Sequence, residues 1–99
     1  MKDWYVYLLE CADRSFYTGI TTDIQRRVKE HNHSRRAAAY TRARRPVTLV
    51  YCETCVSRAA AGRREYELRK SARKEKQKLA EAWRSAHQHS FDRLFPAVQ

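Results

Sequence analysis

The sequence predicts an α/β domain of the α+β type, a three-stranded antiparallel sheet flanked by helices. Two short runs rich in aromatic and branched residues, WYVYLLEC (4–11) and FYTGI (16–20), flank the turn ADRS and read as a β-hairpin. A third apolar run, VTLVYCE (47–53), follows Pro46 and reads as another strand. Elsewhere the hydrophobic period turns helical. A chain of 99 residues buries one modest core. The expected organisation is therefore one domain over 1–99, with a core at about 4–76 and a C-terminal helix and tail over 77–99.

Each element has a local cause. WYVYLLEC is too short for a buried helix, and its composition suits a pleated surface. TTDIQRRVKEHN opens a helix. Thr22 is placed to be its N-cap, with Gln25 three residues on completing a capping box and Asp23 complementing the positive helix end. Ile24, Val28 and His31 fall at i, i+4 and i+7 on one face, and Arg27 lies one turn from His31. HSRRAAAYTRARRP (33–46) is a basic connection carrying Arg35, Arg36, Arg42, Arg44 and Arg45. Ser57 can cap RAAAGRREYELRK (58–70), in which Gly62 is the weak point, and Ser71 can cap a further helix. The pattern leaves open whether 58–87 is one helix or two. Two helices folded back on the sheet would better bury Tyr66, Leu68, Leu79 and Trp83. Phe91, Leu94 and Phe95 would let the tail dock on the body.

Composition narrows the function. Twenty-one Lys and Arg against eleven Asp and Glu give a net charge of +10, which calls for a polyanionic partner. A membrane-surface helix would set bulky apolar residues opposite its basic face. The basic stretches here carry mostly alanine, which favours nucleic acid. No apolar run approaches the roughly 20 residues of a membrane span. The N-terminus lacks a small-residue cleavage site, so a cytoplasmic location is the default expectation. Three cysteines, Cys11, Cys52 and Cys55, argue against a disulfide framework. CETC (52–55), with His31, His33, His87 and His89, offers a zinc or redox site on paper. Cys52 continues a strand pattern, however, and ordinary strand-end cysteines are the favoured reading.

A phosphodiesterase needs a proton acceptor, a phosphate clamp and a hard anionic ligand for a metal. Tyr7 and Tyr17, on two strands of a hairpin, can face the same side. Gly19 allows close approach of a backbone or phosphate. Arg27 comes from the next helix and Glu65 from a later one.

YVY (5–7), nine residues, YTG (17–19) and then DIQRRVKEH (23–31) resemble the pattern of the GIY-YIG nucleases. Together with TGITTDIQRR, YTRARRPVTLVY and REYELRKSARKEK, the layout is similar to a small stand-alone bacterial YhbQ-like branch, over about residues 4–76. The resemblance implies that Tyr7, Tyr17, Arg27, His31 and Glu65 are catalytic, that Gly19 is the motif glycine, and that Glu65 binds one Mg2+ or Mn2+ ion. It departs from the family pattern at Tyr5, Val6 and Thr18, and no asparagine follows Asn32 to match the C-terminal one of many members. The implied activity is metal-dependent hydrolysis of phosphodiester bonds, in DNA rather than RNA, without sequence specificity unless a partner protein supplies targeting. Arg26, Arg35, Arg36, Arg42, Arg44 and Arg45 would track the backbone, and Tyr40 would stack on a base. The alternative is a non-catalytic DNA- or RNA-binding module on the same fold. The letters HNH (31–33) carry no weight, because the nuclease family of that nickname spreads its ligands over a ββα-metal fold.

Overall fold

The computed structural model describes residues 2–86; the expectations for His87, His89, Phe91, Leu94 and Phe95 fall outside them. Its elements run β1 (Trp4–Glu10), β2 (Phe16–Thr21), α1 (Ile24–His33), α2 (Ala39–Arg42), β3 (Thr48–Cys55), α3 (Arg58–Lys70) and α4 (Arg73–Ala86). The strands form one antiparallel sheet in the order β2-β1-β3, so the architecture is the expected one.

As the central strand, β1 is covered on both faces. Val6, Tyr7, Leu8 and Leu9 are all buried, and alternation sends Tyr7 and Leu9 to one side and Val6 and Leu8 to the other. On the first side, Tyr7 and Leu9 join Cys11, Val28 of α1, Val47 and Leu49 in the main cluster, with Ile24 and Trp83 packed against it. Helix α3 packs on β1 and β2, and α4 on β3. A bulge at Val50 shifts the β1–β3 register, so that Leu8 faces Tyr51 while Leu9 faces Leu49.

The register also explains Gly19. It lies opposite Tyr7 across the hairpin, and the Tyr7 ring lies over it. A methyl group on Gly19 would sit 2.6 Å from Tyr7 Cζ. The missing side chain makes room for this ring, whereas the sequence suggested room for another backbone or a phosphate.

Several local expectations change. Asp23, not Thr22, caps α1, accepting a hydrogen bond from Arg26 N; the Thr21 hydroxyl accepts from Asp23 N and sets up the helix start one residue later. The basic connection contains the short helix α2. Strand β3 runs two residues further than expected, through Cys55. The stretch 58–87 is broken, with Ser71 as the C-cap of α3. Leu68 is buried and Trp83 packs on the core, but Tyr66 is 51% exposed, with Lys70 Nζ 4.6 Å from its ring centre. Ser57 caps α3 as expected, accepting from Ala60 N.

The two glycines predict opposite responses. Gly19→Ala overpacks the Tyr7 contact and is expected to lower unfolding stability by about 1–3 kcal/mol. Gly62 lies within α3 with nothing near its absent side chain, so Gly62→Ala is expected to raise stability by about 0.5–1 kcal/mol. Urea denaturation of both variants checks the pair.

Candidate active site

The site grows from the hairpin register. Tyr7 pairs with Gly19 and Leu9 with Tyr17, so Tyr7 and Tyr17 are diagonal neighbours on one face. Their ring centres are 6.5 Å apart. Helix α1 brings His31 against both, at 5.9 Å from Tyr7 and 5.2 Å from Tyr17.

His31 is fully buried, and both of its ring nitrogens are engaged. The Thr41 hydroxyl donates to Ala38 O at 3.0 Å, so its oxygen is left to accept from His31 Nδ1, 2.7 Å away. That fixes the proton on Nδ1. Nε2 must then accept, and its partner is the Tyr7 hydroxyl at 2.8 Å. The chain Tyr7 → His31 → Thr41 → Ala38 is therefore directional, with a neutral imidazole at its centre. Burial, and secondarily the positive charge of Arg27, push the His31 pKa down to about 4. Burial, reinforced by Tyr17, pushes the Tyr7 phenol well up, although Arg27 opposes the rise. The Tyr17 phenol is also raised, chiefly by burial.

Arg27 is half-buried beside these rings. Its guanidinium pairs with Glu30 at 2.9 Å and donates to Arg36 O at 3.0 Å. Glu65 arrives on α3, its side chain 24% exposed and 3.8 Å from Arg69. An open cavity of about 330 Å³ lies beside Tyr17, Tyr40, Glu65, Arg69 and Lys76. Tyr17 and Glu65 thus share a wall with two cations, Arg69 and Lys76.

The arginines of α1 and of the basic connection divide into two groups. Arg26, Arg35, Arg36 and Arg42 are exposed. Arg45 is turned inward: its Nε donates to His31 O at 2.6 Å and its Nη2 to Glu30 O at 3.3 Å, satisfying carbonyls at the end of α1. Arg44 pairs with Asp13 at 3.1 Å and lies 3.8 Å from the centre of the Tyr40 ring. Tyr40 also stacks on Tyr17, at 6.1 Å between centres. The Tyr40 ring therefore already carries a guanidinium where the sequence reading put a base. In HNH, only His31 belongs to the site: Asn32 exchanges two hydrogen bonds with the Val47 backbone, and His33 is exposed.

Cys52 and Cys55 lie on β3 with thiols pushed up by burial. Among the described residues no group of three His, Cys, Asp or Glu side chains is placed to hold a metal, and no helix is long and apolar enough to cross a membrane. Of the partners found here, Thr41 had no sequence signal. Arg69 had one in its i,i+4 spacing from Glu65.

The depressed His31 pKa has a definite sign. The ring titrates at about 6.5 in the unfolded chain and at about 4 in the folded one. Between those values the unfolded state binds the proton more readily, so stability falls as the pH drops. The loss reaches about 3 kcal/mol near pH 4 and levels off below about pH 3. Nitrogen-15 NMR at pH 5 is expected to find the ring neutral with its proton on Nδ1.

Residues 3–79 match the family model described as the GIY-YIG catalytic domain. A UPF0213 protein of Desulfotalea psychrophila is 52% identical over 80% of this chain and 72% of its own length. Another, from Haloquadratum walsbyi, is 52% identical over 82% of this chain and 91% of its own length. The solution structure of a UPF0213 protein from Bacillus halodurans is 45% identical, covers 81% of this chain and 84% of its own, and superposes with a TM-score of 0.51. That of a protein from E. faecalis is 32% identical, covers 84% of this chain and 88% of its own, and gives 0.54. Relatives occur in archaea as well as bacteria, a wider range than the bacterial branch expected from sequence. The chain belongs to the GIY-YIG family, among its small stand-alone UPF0213 members.

Proposed function

We propose that this protein is a metal-dependent nuclease that hydrolyses phosphodiester bonds of DNA without sequence specificity. GIY-YIG domains generally act on nucleic acid as nucleases. The observation that carries the reading is the directional Tyr7–His31 hydrogen bond beside Tyr17 and Arg27. The bond joins a buried phenol to a neutral imidazole able to accept its proton, beside a second phenol.

Each residue has a role. Arg27 neutralises charge on the scissile phosphate, for which its guanidinium fork is suited. Tyr17, on the cavity wall, orients the attacking water. The water proton passes to the Tyr7–His31 pair: as the Tyr7 oxygen accepts it, the phenol hands its own proton to His31 Nε2. A phenol with a raised pKa is a poor base alone, and His31 gives it a destination. Arg27 is one cause of the low His31 pKa. A phosphate on Arg27 offsets that charge and makes His31 more basic when substrate is present.

Glu65 would hold the cation. Magnesium takes one or two carboxylates and fills its remaining positions with water and substrate phosphate. A lone half-buried carboxylate on an open cavity fits that donor set. Bound there, the ion would supply Lewis-acid charge to a phosphate oxygen. The exposed Arg26, Arg35, Arg36 and Arg42 suit non-specific backbone contacts, consistent with cutting that lacks sequence preference. Targeting would fall to a partner protein.

End-labelled single- and double-stranded DNA and RNA, incubated with Mg2+, Mn2+ or EDTA, provide the test. Cleavage is expected on DNA with either metal and to stop in EDTA. Arg27→Ala is expected to slow it about 10²–10³-fold, by analogy with loss of a charge-stabilising donor, and Glu65→Ala to abolish it while both variants stay folded. Cleavage that survives both changes would overturn this site. Salt-sensitive binding without cleavage by the wild type would leave the binding module as the function.

A further inference from the structure

Lys76 is a cation that the proposed reaction leaves unused. It sits on α4, half-buried, on the wall of the cavity that also holds Glu65 and Tyr17. Its ammonium group donates to Arg69 O at 3.2 Å, and no carboxylate among the described residues lies within ion-pairing distance of it. Burial alone lowers its pKa. A half-buried ammonium with one carbonyl partner has two N–H donors left for an anion. The Arg69 side chain, on α3, lines the same cavity, is 60% exposed and reaches Glu65 at 3.8 Å. That contact is long for a charge-assisted hydrogen bond.

We propose that Lys76 and Arg69 form a second phosphate subsite, which takes the nucleic-acid phosphate adjacent to the one clamped by Arg27. The inference rests on the reading of Arg27 and Glu65 as the scissile-phosphate site. Arg27 comes from α1 and Arg69 from α3, and both lie near enough to the Tyr17 phenol to oppose the rise of its pKa, while Arg69, Lys76 and Tyr17 line one cavity. A nucleic-acid strand presents phosphates at regular intervals, so a strand whose scissile phosphate sits on Arg27 brings a neighbouring phosphate toward other cations near the same phenol. The subsite also gives Arg69 a partner other than Glu65, with which it pairs at 3.8 Å. A phosphate draws the guanidinium toward Lys76 and leaves the carboxylate to its metal.

The experiment compares dTpdT with the same dinucleotide carrying an added 5′- or 3′-phosphate, by NMR titration in EDTA so that nothing is cut. For the wild type, one of the two added phosphates is expected to tighten binding about tenfold, the factor of one charge-assisted hydrogen bond. In Lys76→Gln and in Arg69→Gln that ratio is expected to collapse toward one, and Lys76→Arg is expected to restore it. Lys78→Gln, which removes an exposed charge from the same helix, is expected to keep the ratio. A ratio unchanged in Lys76→Gln and Arg69→Gln, or lost equally in Lys78→Gln, would overturn the subsite. The cleavage assay separates the two readings. A lost ratio without cleavage keeps the subsite in a binding protein, and intact cleavage with an unchanged ratio removes the subsite alone.

Discussion

A buried imidazole with two fixed hydrogen-bond partners organises this molecule. His31 belongs to α1, Tyr7 to β1 and Thr41 to α2, so one side chain ties three elements together. Each bond sets the next one's direction, because Thr41 has already given its proton to Ala38 O. A displaced α2 would leave a buried N–H unpaired, at a cost of about 1–3 kcal/mol. The connection between α1 and β3 is secured independently. Arg45 closes the C-terminal carbonyls of α1, and Asn32 pairs with Val47 as a strand neighbour would. The site's geometry thus rests on polar contacts inside the fold, with apolar packing from Val28, Leu9 and Leu49 around them.

The positive charge sorts by task. Arg45 closes a helix end, Arg44 ties the β1–β2 turn to Tyr40 through Asp13, and Arg64 pairs with Glu53 and Glu67. These cations support the scaffold. Others, such as Arg35 and Arg42, face solvent and contribute mainly to the long-range field that attracts a polyanion. Net charge alone distinguishes none of these uses.

Much of this was legible in the sequence because period and pairing are local. The alternation in WYVYLLEC and the short turn after it put Tyr7 and Tyr17 on one face, and the i, i+4, i+7 spacing put His31 beside Val28. The break between α3 and α4 was left open, since Ala, Glu and Lys suit one helix or two. Thr41, Asn32 and Arg45 act across ten to fifteen positions in the chain, where no periodicity operates. Thr22 lost the cap to Asp23 because the Thr21 hydroxyl rebuilt the turn. Tyr66 was expected inside on hydrophobicity alone, but Lys70 covers part of its ring while the edge stays in water.

The packing of Tyr7 over Gly19 has an evolutionary consequence. The ring fills the space where a side chain at 19 would begin, so the two positions form one heritable unit. A lineage can place a larger residue at 19 only after the ring at 7 has shrunk or moved, and losing that ring also leaves His31 Nε2 without its donor. A glycine required by a tyrosine is thus tied to the histidine that the tyrosine serves, and a change at any one of the three disturbs the packing or hydrogen bonding of the others.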